Sequence, residues 1–184
     1  PLETGSVVVS RQRQTVEFPA RFLLLAAMNP CPCGFATDPV HECHCLPSSI
    51  QRYRQRLSGP LLDRFDLHLD VPRLDWQELV GDKVEESSEV VRTRVLSARQ
   101  RQAARQSETG VRTNQELSSK QIERHCRVGE EAKSLLKQAS QALNFSNRAY
   151  YRILRVSRTI ADLALSEPIR TEHVAEALQY RRGG

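Results

Sequence analysis

Four cysteines near the N-terminal end of the chain have a spacing that suits metal binding. Cys31 and Cys33 form one Cys-x-Cys pair, and Cys43 and Cys45 form a second pair. Four thiolates can complete a tetrahedral zinc site. Reduced free thiols and a redox pair are the open alternatives, whereas disulfides are not expected in a chain without an export signal. A structural zinc ion would fix a loop that has no apolar core of its own.

Three other residues have positions that suit contact with a phosphate. Asn29 follows the most apolar run of the chain, where ligands of α/β sheets bind, although it could simply close a turn before Pro30. Arg64 lies between aspartates and either pairs with them or offers its planar fork to a partner's phosphate. Arg148 falls in the first turn of a predicted helix, where a cation opposes the helix dipole; it indicates an anionic ligand, unless it bends toward solvent or an acidic neighbour.

The charge of the chain favours a polyanionic partner only mildly. The formal net charge is +5 with a pI of about 9.2, which is compatible with nucleic-acid binding. Arg11 and Arg13 lie at the predicted tip of a hairpin and could contact a nucleic-acid backbone. Five more arginines on one long helix are more typical of a solvated face: Arg92, Arg94, Arg99, Arg101 and Arg105. No apolar stretch is long enough to span a membrane and no signal peptide is visible, so we expect a cytoplasmic location with no membrane partner.

The elements that must position these residues begin as an α/β pattern. Residues 6–18 predict a β-hairpin, because apolar and polar residues alternate on both sides of a polar tip. The apolar run 22–28 predicts a strand buried on both faces, and the alternation in 65–71 predicts a second strand. Two such strands joined by helical segments suit part of an α/β sheet.

The second half of the chain has a helical pattern only. Apolar residues recur with the 3.6-residue period, and Cys126 is expected simply to pack within a helix. We therefore divide the chain into residues 1–75, a linker at 76–86 and a helical bundle at 87–184. The predicted helices cover residues 87–106, 114–124, 128–143, 146–165 and 171–181.

Three long segments together resemble one protein family. The segments FPARFLLLAAMNPCPCG, RYRQRLSGPLLDRFDLHLDVP and FSNRAYYRILRVSRTIADLA are similar to the magnesium-chelatase-like AAA+ ATPases, in their ComM (YifB) branch. The likeness runs along essentially the whole chain in the expected order. It implies an α/β fold, the last part of a P-loop AAA+ core with a β-hairpin, followed by an all-α lid, so that the chain is mainly helical overall.

The resemblance also implies roles for the residues singled out above. Asn29 matches sensor 1, Arg148 matches sensor 2, and Arg64 matches the arginine finger that a subunit offers to its neighbour's ATP. Arg11 and Arg13 would face the pore of a homo-hexameric ring. The implied cofactor of the full-length family is ATP with Mg²⁺.

The sequence departs from the family in lacking both Walker motifs. It contains no G-x-x-x-x-G-K-[ST] pattern, and no apolar run ends in paired acids. Because the family places both motifs further upstream, we expect the C-terminal portion of an ATP-driven motor that alone hydrolyses no ATP. The implied activity is branch migration or helicase-like work on DNA, related to competence. A magnesium-chelatase-type remodelling subunit and a non-catalytic zinc-stabilised binding module are the alternatives.

Overall fold

The computed structural model describes residues 2, 4–11, 14–74, 76, 80 and 86–181. They belong to two compact units, Pro1–Phe65 and Asp66–Gly184. Arg13 and most of the predicted linker at 76–86 lie outside the described residues, so the predicted domain boundaries remain a prediction.

The first unit begins with the predicted hairpin, which is confirmed. Strands β1 (Ser6–Arg11) and β2 (Gln14–Pro19) pair in antiparallel fashion. The register sets Val7 opposite Phe18 and Val9 opposite Val16. Because side chains alternate between the two faces of a strand, these apolar pairs share one face of the ribbon.

A segment without regular secondary structure and a long loop lead from the hairpin to two short helices. Helix α1 (Pro47–Arg54) starts with proline at its first position, and α2 (Gly59–Leu62) is capped by Ser58, whose Oγ accepts a hydrogen bond from the Leu61 N–H at 3.3 Å. Among the described residues of this unit, Cys31 is the only one that is buried. The apolar core therefore contributes little to holding this unit together.

The prediction of two further strands beyond the hairpin is wrong. Residues 22–28 and 65–71 are not in strands, and Leu23 and Leu25 are 95% and 91% exposed. A strand forms only where a neighbouring strand satisfies its backbone N–H and C=O groups. The hairpin is the only sheet among the described residues. The apolar pattern marks residues suited to burial, but the described residues include no neighbouring strand that would pair with them.

The second unit is a bundle of helices, and the expected mainly helical fold is confirmed. Serine caps begin three of its helices, because the Oγ atoms of Ser87, Ser118 and Ser146 each accept a backbone N–H. Gly110 ends the first helix with φ of 71°, in the left-handed region that glycine tolerates. The helices are α3 (Ser88–Thr109), α4 (Ser119–His125), α5 (Glu130–Leu143), α6 (Asn147–Leu163) and α7 (Thr171–Gln179), with a 3₁₀ turn at Asn114–Glu116.

Helix α6 lies at the centre of the apolar core of this unit. Ile153 and Ala161 on α6 are almost fully buried, as are Ile122 on α4 and Val174 on α7. The predicted burial of Cys126 is confirmed, since this residue is 2% exposed within the same core, but it lies just after α4 rather than within a helix.

A buried polar network crosses this core at Asp162. Arg105 from α3 donates through both terminal nitrogens to the Asp162 carboxylate, at 2.9 Å for Nη1 to Oδ1. Asn114 Nδ2 donates to Oδ2 at 2.9 Å, and Arg158 Nη2 lies 3.2 Å from Oδ1. Asp162 is fully buried, so the network compensates the desolvation of its charge.

Candidate metal centre and phosphate-sensing residues

The four predicted cysteines converge on one point. Their Sγ atoms all lie within 4.8 Å of one another. Cys31 Sγ is 3.3 Å from Cys33 Sγ and 3.7 Å from Cys43 Sγ, and Cys33 Sγ is 3.6 Å from Cys43 Sγ. Ligands of a tetrahedral zinc ion with Zn–S bonds of about 2.3 Å stand roughly 3.8 Å apart. The cluster therefore has the dimensions of a four-thiolate metal site.

Local turn chemistry brings the two pairs together. Gly34 adopts φ of 88°, and its N–H donates to the Cys31 carbonyl at 3.0 Å, which closes a turn after the first pair. Asp38 Oδ1 then accepts the N–H groups of Val40 and His41, both at 2.8 Å, and turns the chain back toward the second pair. The loop is thus shaped by glycine and aspartate, and the cysteines meet where it closes.

The close packing of the thiols spreads their pKa values apart. Burial raises the pKa of Cys31, but hydrogen bonds from the Cys33 thiol and from the backbone of Ala36 outweigh it, so the pKa falls from 9.0 to about 6. The hydrogen bond with the Cys33 thiol raises the pKa of Cys45 to about 12. One thiolate at the centre thus disfavours ionisation of its neighbours, and a bound cation would relieve that repulsion.

Asn29 lies beside this cysteine loop. A Cβ built on Gly34 would stand 3.8 Å from Asn29 Nδ2, so the turn that closes the loop also borders the asparagine side chain. Asn29 is exposed and follows a segment without regular secondary structure rather than a strand. Its expected position at the end of a buried strand is therefore wrong for the described residues, and its sensor role depends on the resemblance alone.

Arg64 lies just after α2. Its Nη1 donates to the Pro60 carbonyl at 2.6 Å, which holds the side chain over the short helix. The nearby Asp66 forms an ion pair with Arg152 on α6, at 3.0 Å between Asp66 Oδ1 and Arg152 Nη1. One of the two aspartates that flank Arg64 in sequence is therefore paired with an arginine of α6.

Arg148 occupies the position that the sequence predicts, in the first turn of α6. The capping Ser146 Oγ accepts the Ala149 N–H at 3.2 Å, and this turn contains no acidic residue. Arg148 is exposed, whereas Ala149 beside it is fully buried. Arg148 is therefore an exposed residue at a fixed helix end.

The other described arginines that the sequence analysis named lie at the hairpin tip and on α3. Arg11 is the last residue of β1 and is exposed, as expected for a hairpin tip. On α3, Arg94 pairs with Glu86, Arg101 donates to the Leu165 carbonyl, and Arg105 belongs to the Asp162 network. Much of this predicted basic face thus supports the fold. The cations of α1, which the sequence analysis did not single out, are exposed instead.

Within the part of the chain that the structure describes, no helix is long and apolar enough to cross a membrane.

Comparisons with known proteins cover almost the entire chain. Residues 1–79 match the model of the family "Magnesium chelatase, subunit ChlI", and residues 85–181 match "Magnesium chelatase, subunit ChlI C-terminal". The chain is 46% identical over 183 residues to "Competence protein ComM" of Haemophilus influenzae, which covers 98% of this chain and 35% of that protein. It is 41% and 39% identical to "Uncharacterized protein YifB" of Escherichia coli and of Salmonella typhimurium, with the same coverage. The chain thus spans about a third of the length of these relatives.

Proposed function

Because this chain belongs to the magnesium chelatase ChlI family, we propose that it forms the C-terminal portion of an ATP-driven AAA+ motor that acts on DNA. The likeness to a competence protein along 98% of the chain is the observation that carries this proposal. Branch migration or helicase-like work is the activity we assign to the complete motor. The sequence-based expectation of a cytoplasmic location belongs to the same proposal.

The residues that respond to ATP would be Asn29, Arg64 and Arg148. ATP with Mg²⁺ supplies the phosphoryl group that is transferred and the cation that balances its charge. Arg148 lies at a capped helix end, where its guanidinium group could bind phosphate oxygens in bidentate fashion. Arg64 would bind the γ-phosphate of a neighbouring subunit's ATP, and Asn29 would orient the attacking water. Among the described residues, only the four cysteines cluster closely enough to hold a metal ion themselves.

The exposed hairpin would face the DNA. Arg11 ends β1 at the tip, and Arg13 follows it in sequence. In a homo-hexameric ring these arginines would line the pore and contact phosphodiester groups. Such contacts carry affinity but no sequence information.

The cysteine cluster would hold a structural zinc ion. The sulfur separations fit a tetrahedral site, and the first unit has no other buried residue among those described. Zinc supplies four short bonds to Cys31, Cys33, Cys43 and Cys45, in place of the missing apolar core. The metal would support the loop beside Asn29 and take no part in hydrolysis.

Two other functions have specific support. A magnesium-chelatase-type remodelling subunit is favoured by the names of both family models. A non-catalytic zinc-stabilised binding module is favoured by the compact cysteine cluster. DNA-stimulated hydrolysis would distinguish the DNA motor from the first, and any hydrolysis that depends on Arg64 and Arg148 would exclude the second.

The test uses a hybrid protein in which these 184 residues replace the matching third of the Haemophilus influenzae relative. We expect the hybrid to hydrolyse ATP faster when DNA is added. Arg64→Ala should lower kcat at least about a thousandfold, because an arginine finger contributes roughly 10³–10⁵ in rate. Arg94→Ala is the matched control, since it removes an exposed arginine that pairs within the chain. Equal rates for the two variants, or an inactive hybrid beside an active parent protein, would contradict the proposal.

A further inference from the structure

The segment around α1 is the most one-sided charged stretch of the first unit. Positions 43–62 contain no aspartate or glutamate, but they contain Arg52, Arg54 and Arg56. All three arginines are exposed. None of them forms an ion pair or a side-chain hydrogen bond with another described residue.

Most arginines of the second unit are matched by acids or carbonyl groups, which makes this group unusual. Exposed pairs join Arg94 to Glu86, Arg124 to Glu108 and Arg170 to Glu172. The buried Arg152 and Arg158 and the half-buried Arg105 have acidic partners too. An unmatched set of three cations on one short segment is therefore a local property rather than a consequence of the overall composition.

Helix geometry places the three cations around the C-terminal end of α1. Arg52 and Arg56 are four residues apart, so they extend from the same side of the turn, and Arg54 extends from another side. Favourable contact with the helix dipole explains part of this placement. It does not explain the absence of any acid over the whole segment, because acids near the first turn would also suit the dipole.

The cysteine cluster does not account for these arginines either. The pKa shifts of Cys31 and Cys45 come from burial, from other cysteine thiols and from backbone groups, with no arginine among the causes. Instead the loop fixes where α1 begins. Cys45 lies two residues before the helix, and the N–H groups of Ser49 and Ile50 donate to the Leu46 carbonyl at 2.9 and 3.1 Å.

We propose that Arg52, Arg54 and Arg56 form a contact surface for the phosphodiester backbone of DNA, separate from the hairpin tip and positioned by the cysteine loop. This inference depends on the proposed action on DNA. Arginine suits the role because its planar fork binds two phosphate oxygens, and unmatched arginines need not break an internal pair to do so. The surface adds affinity without selecting a sequence.

The test measures binding of the 184-residue chain to a labelled single-stranded oligonucleotide by fluorescence anisotropy over a series of salt concentrations. In the α1 variant Arg52, Arg54 and Arg56 are changed to glutamine. In the matched control Arg94, Arg124 and Arg170, which are exposed but paired, are changed to glutamine. Both variants lose the same formal charge, and a third variant replaces the α1 arginines with lysine.

The slope of log K against log salt should become shallower by about 2 in the α1 variant, because each lost phosphate contact removes roughly 0.7 for a single strand. It should change little in the control and in the lysine variant. Equal slopes for the α1 variant and the control would overturn the inference and leave the proposed function standing. A parent chain that shows no salt-dependent DNA binding would overturn both. Bound metal is measured in each variant, so that loss of the cysteine loop is recognised.

Discussion

Replacing Asp162 with asparagine should remove a large part of the stability of the helical unit. Asp162 is fully buried, and each of its carboxylate oxygens faces two donors, from Arg105, Arg158 and Asn114. Asparagine has nearly the same shape but offers only one acceptor oxygen. In either orientation its NH₂ group would face two donors, and two arginines would lose their counter-charge.

The expected cost follows from the burial of the partners. The side chains of Arg158 and Arg105 are 5% and 20% exposed, so neither charge can be fully rehydrated after the change. Breaking a buried pair in this way costs about 3–5 kcal/mol. Glu86→Gln is the matched control, because Glu86 also accepts both terminal nitrogens of one arginine, at 2.9 Å each, but is 46% exposed. Exposed pairs contribute roughly 0.2–1 kcal/mol.

Hydrogen exchange of the backbone amides of α6 is the appropriate assay, because the chain has two compact units that need not unfold together. The free energy of opening α6 should fall by about 3–5 kcal/mol in Asp162→Asn and by less than about 1 kcal/mol in Glu86→Gln. Similar losses in the two variants would refute the reasoning, because the geometry of these ion pairs, and not their burial, would then determine how much each one stabilises the helix.

The remaining predictions concern the cysteine loop. Cys43→Ser should lower bound zinc to near zero by elemental analysis, because a hydroxyl is a poor zinc ligand; retention of one zinc per chain would count against the four-thiolate site. Gly34→Ala should weaken zinc retention against a chelator about fivefold or more, because φ of 88° costs a residue with a Cβ roughly 1–2 kcal/mol. Gly59→Ala, with open space around it, should leave retention unchanged, and equal effects would rule out the strain argument. Zinc affinity should fall as the pH is lowered from 8 to 6, because the pKa of Cys45 is raised to about 12 and its proton must leave on binding; an affinity independent of pH would contradict this.

Features encoded by neighbouring residues could be predicted from the sequence. The 3.6-residue period places Ala132 and Leu136 of α5 in the core, and Ser146 caps α6 as its position before the helix predicts. The alternation around a polar tip predicts the hairpin, and the structure adds its register. The cysteine spacing likewise predicts a cluster, because a loop of that length can return on itself.

Features that depend on distant partners could not be predicted. The run 22–28 is apolar enough for a buried strand, but strand formation also depends on neighbours that the described residues do not provide. The Asp162 network joins residues as far apart as Arg105 and Asp162, and only the i,i+4 spacing of Arg158 and Asp162 gives a local signal. The α1 cations could have been noticed, since the absence of acids from 43–62 is visible in the sequence.

The central claim is that Arg64 and Arg148 serve different ATP molecules in one ring, and mixing two inactive variants tests it most directly. In the hybrid protein, Arg64→Ala lacks only the finger and Arg148→Ala lacks only sensor 2. Each variant alone should show background hydrolysis. After subunits are mixed one to one, sites that pair an intact sensor with a neighbour's intact finger should restore about a quarter of the unmutated rate. A mixture that stays at background while either variant alone is inactive would contradict the claim, because both arginines would then act on the same subunit's ATP.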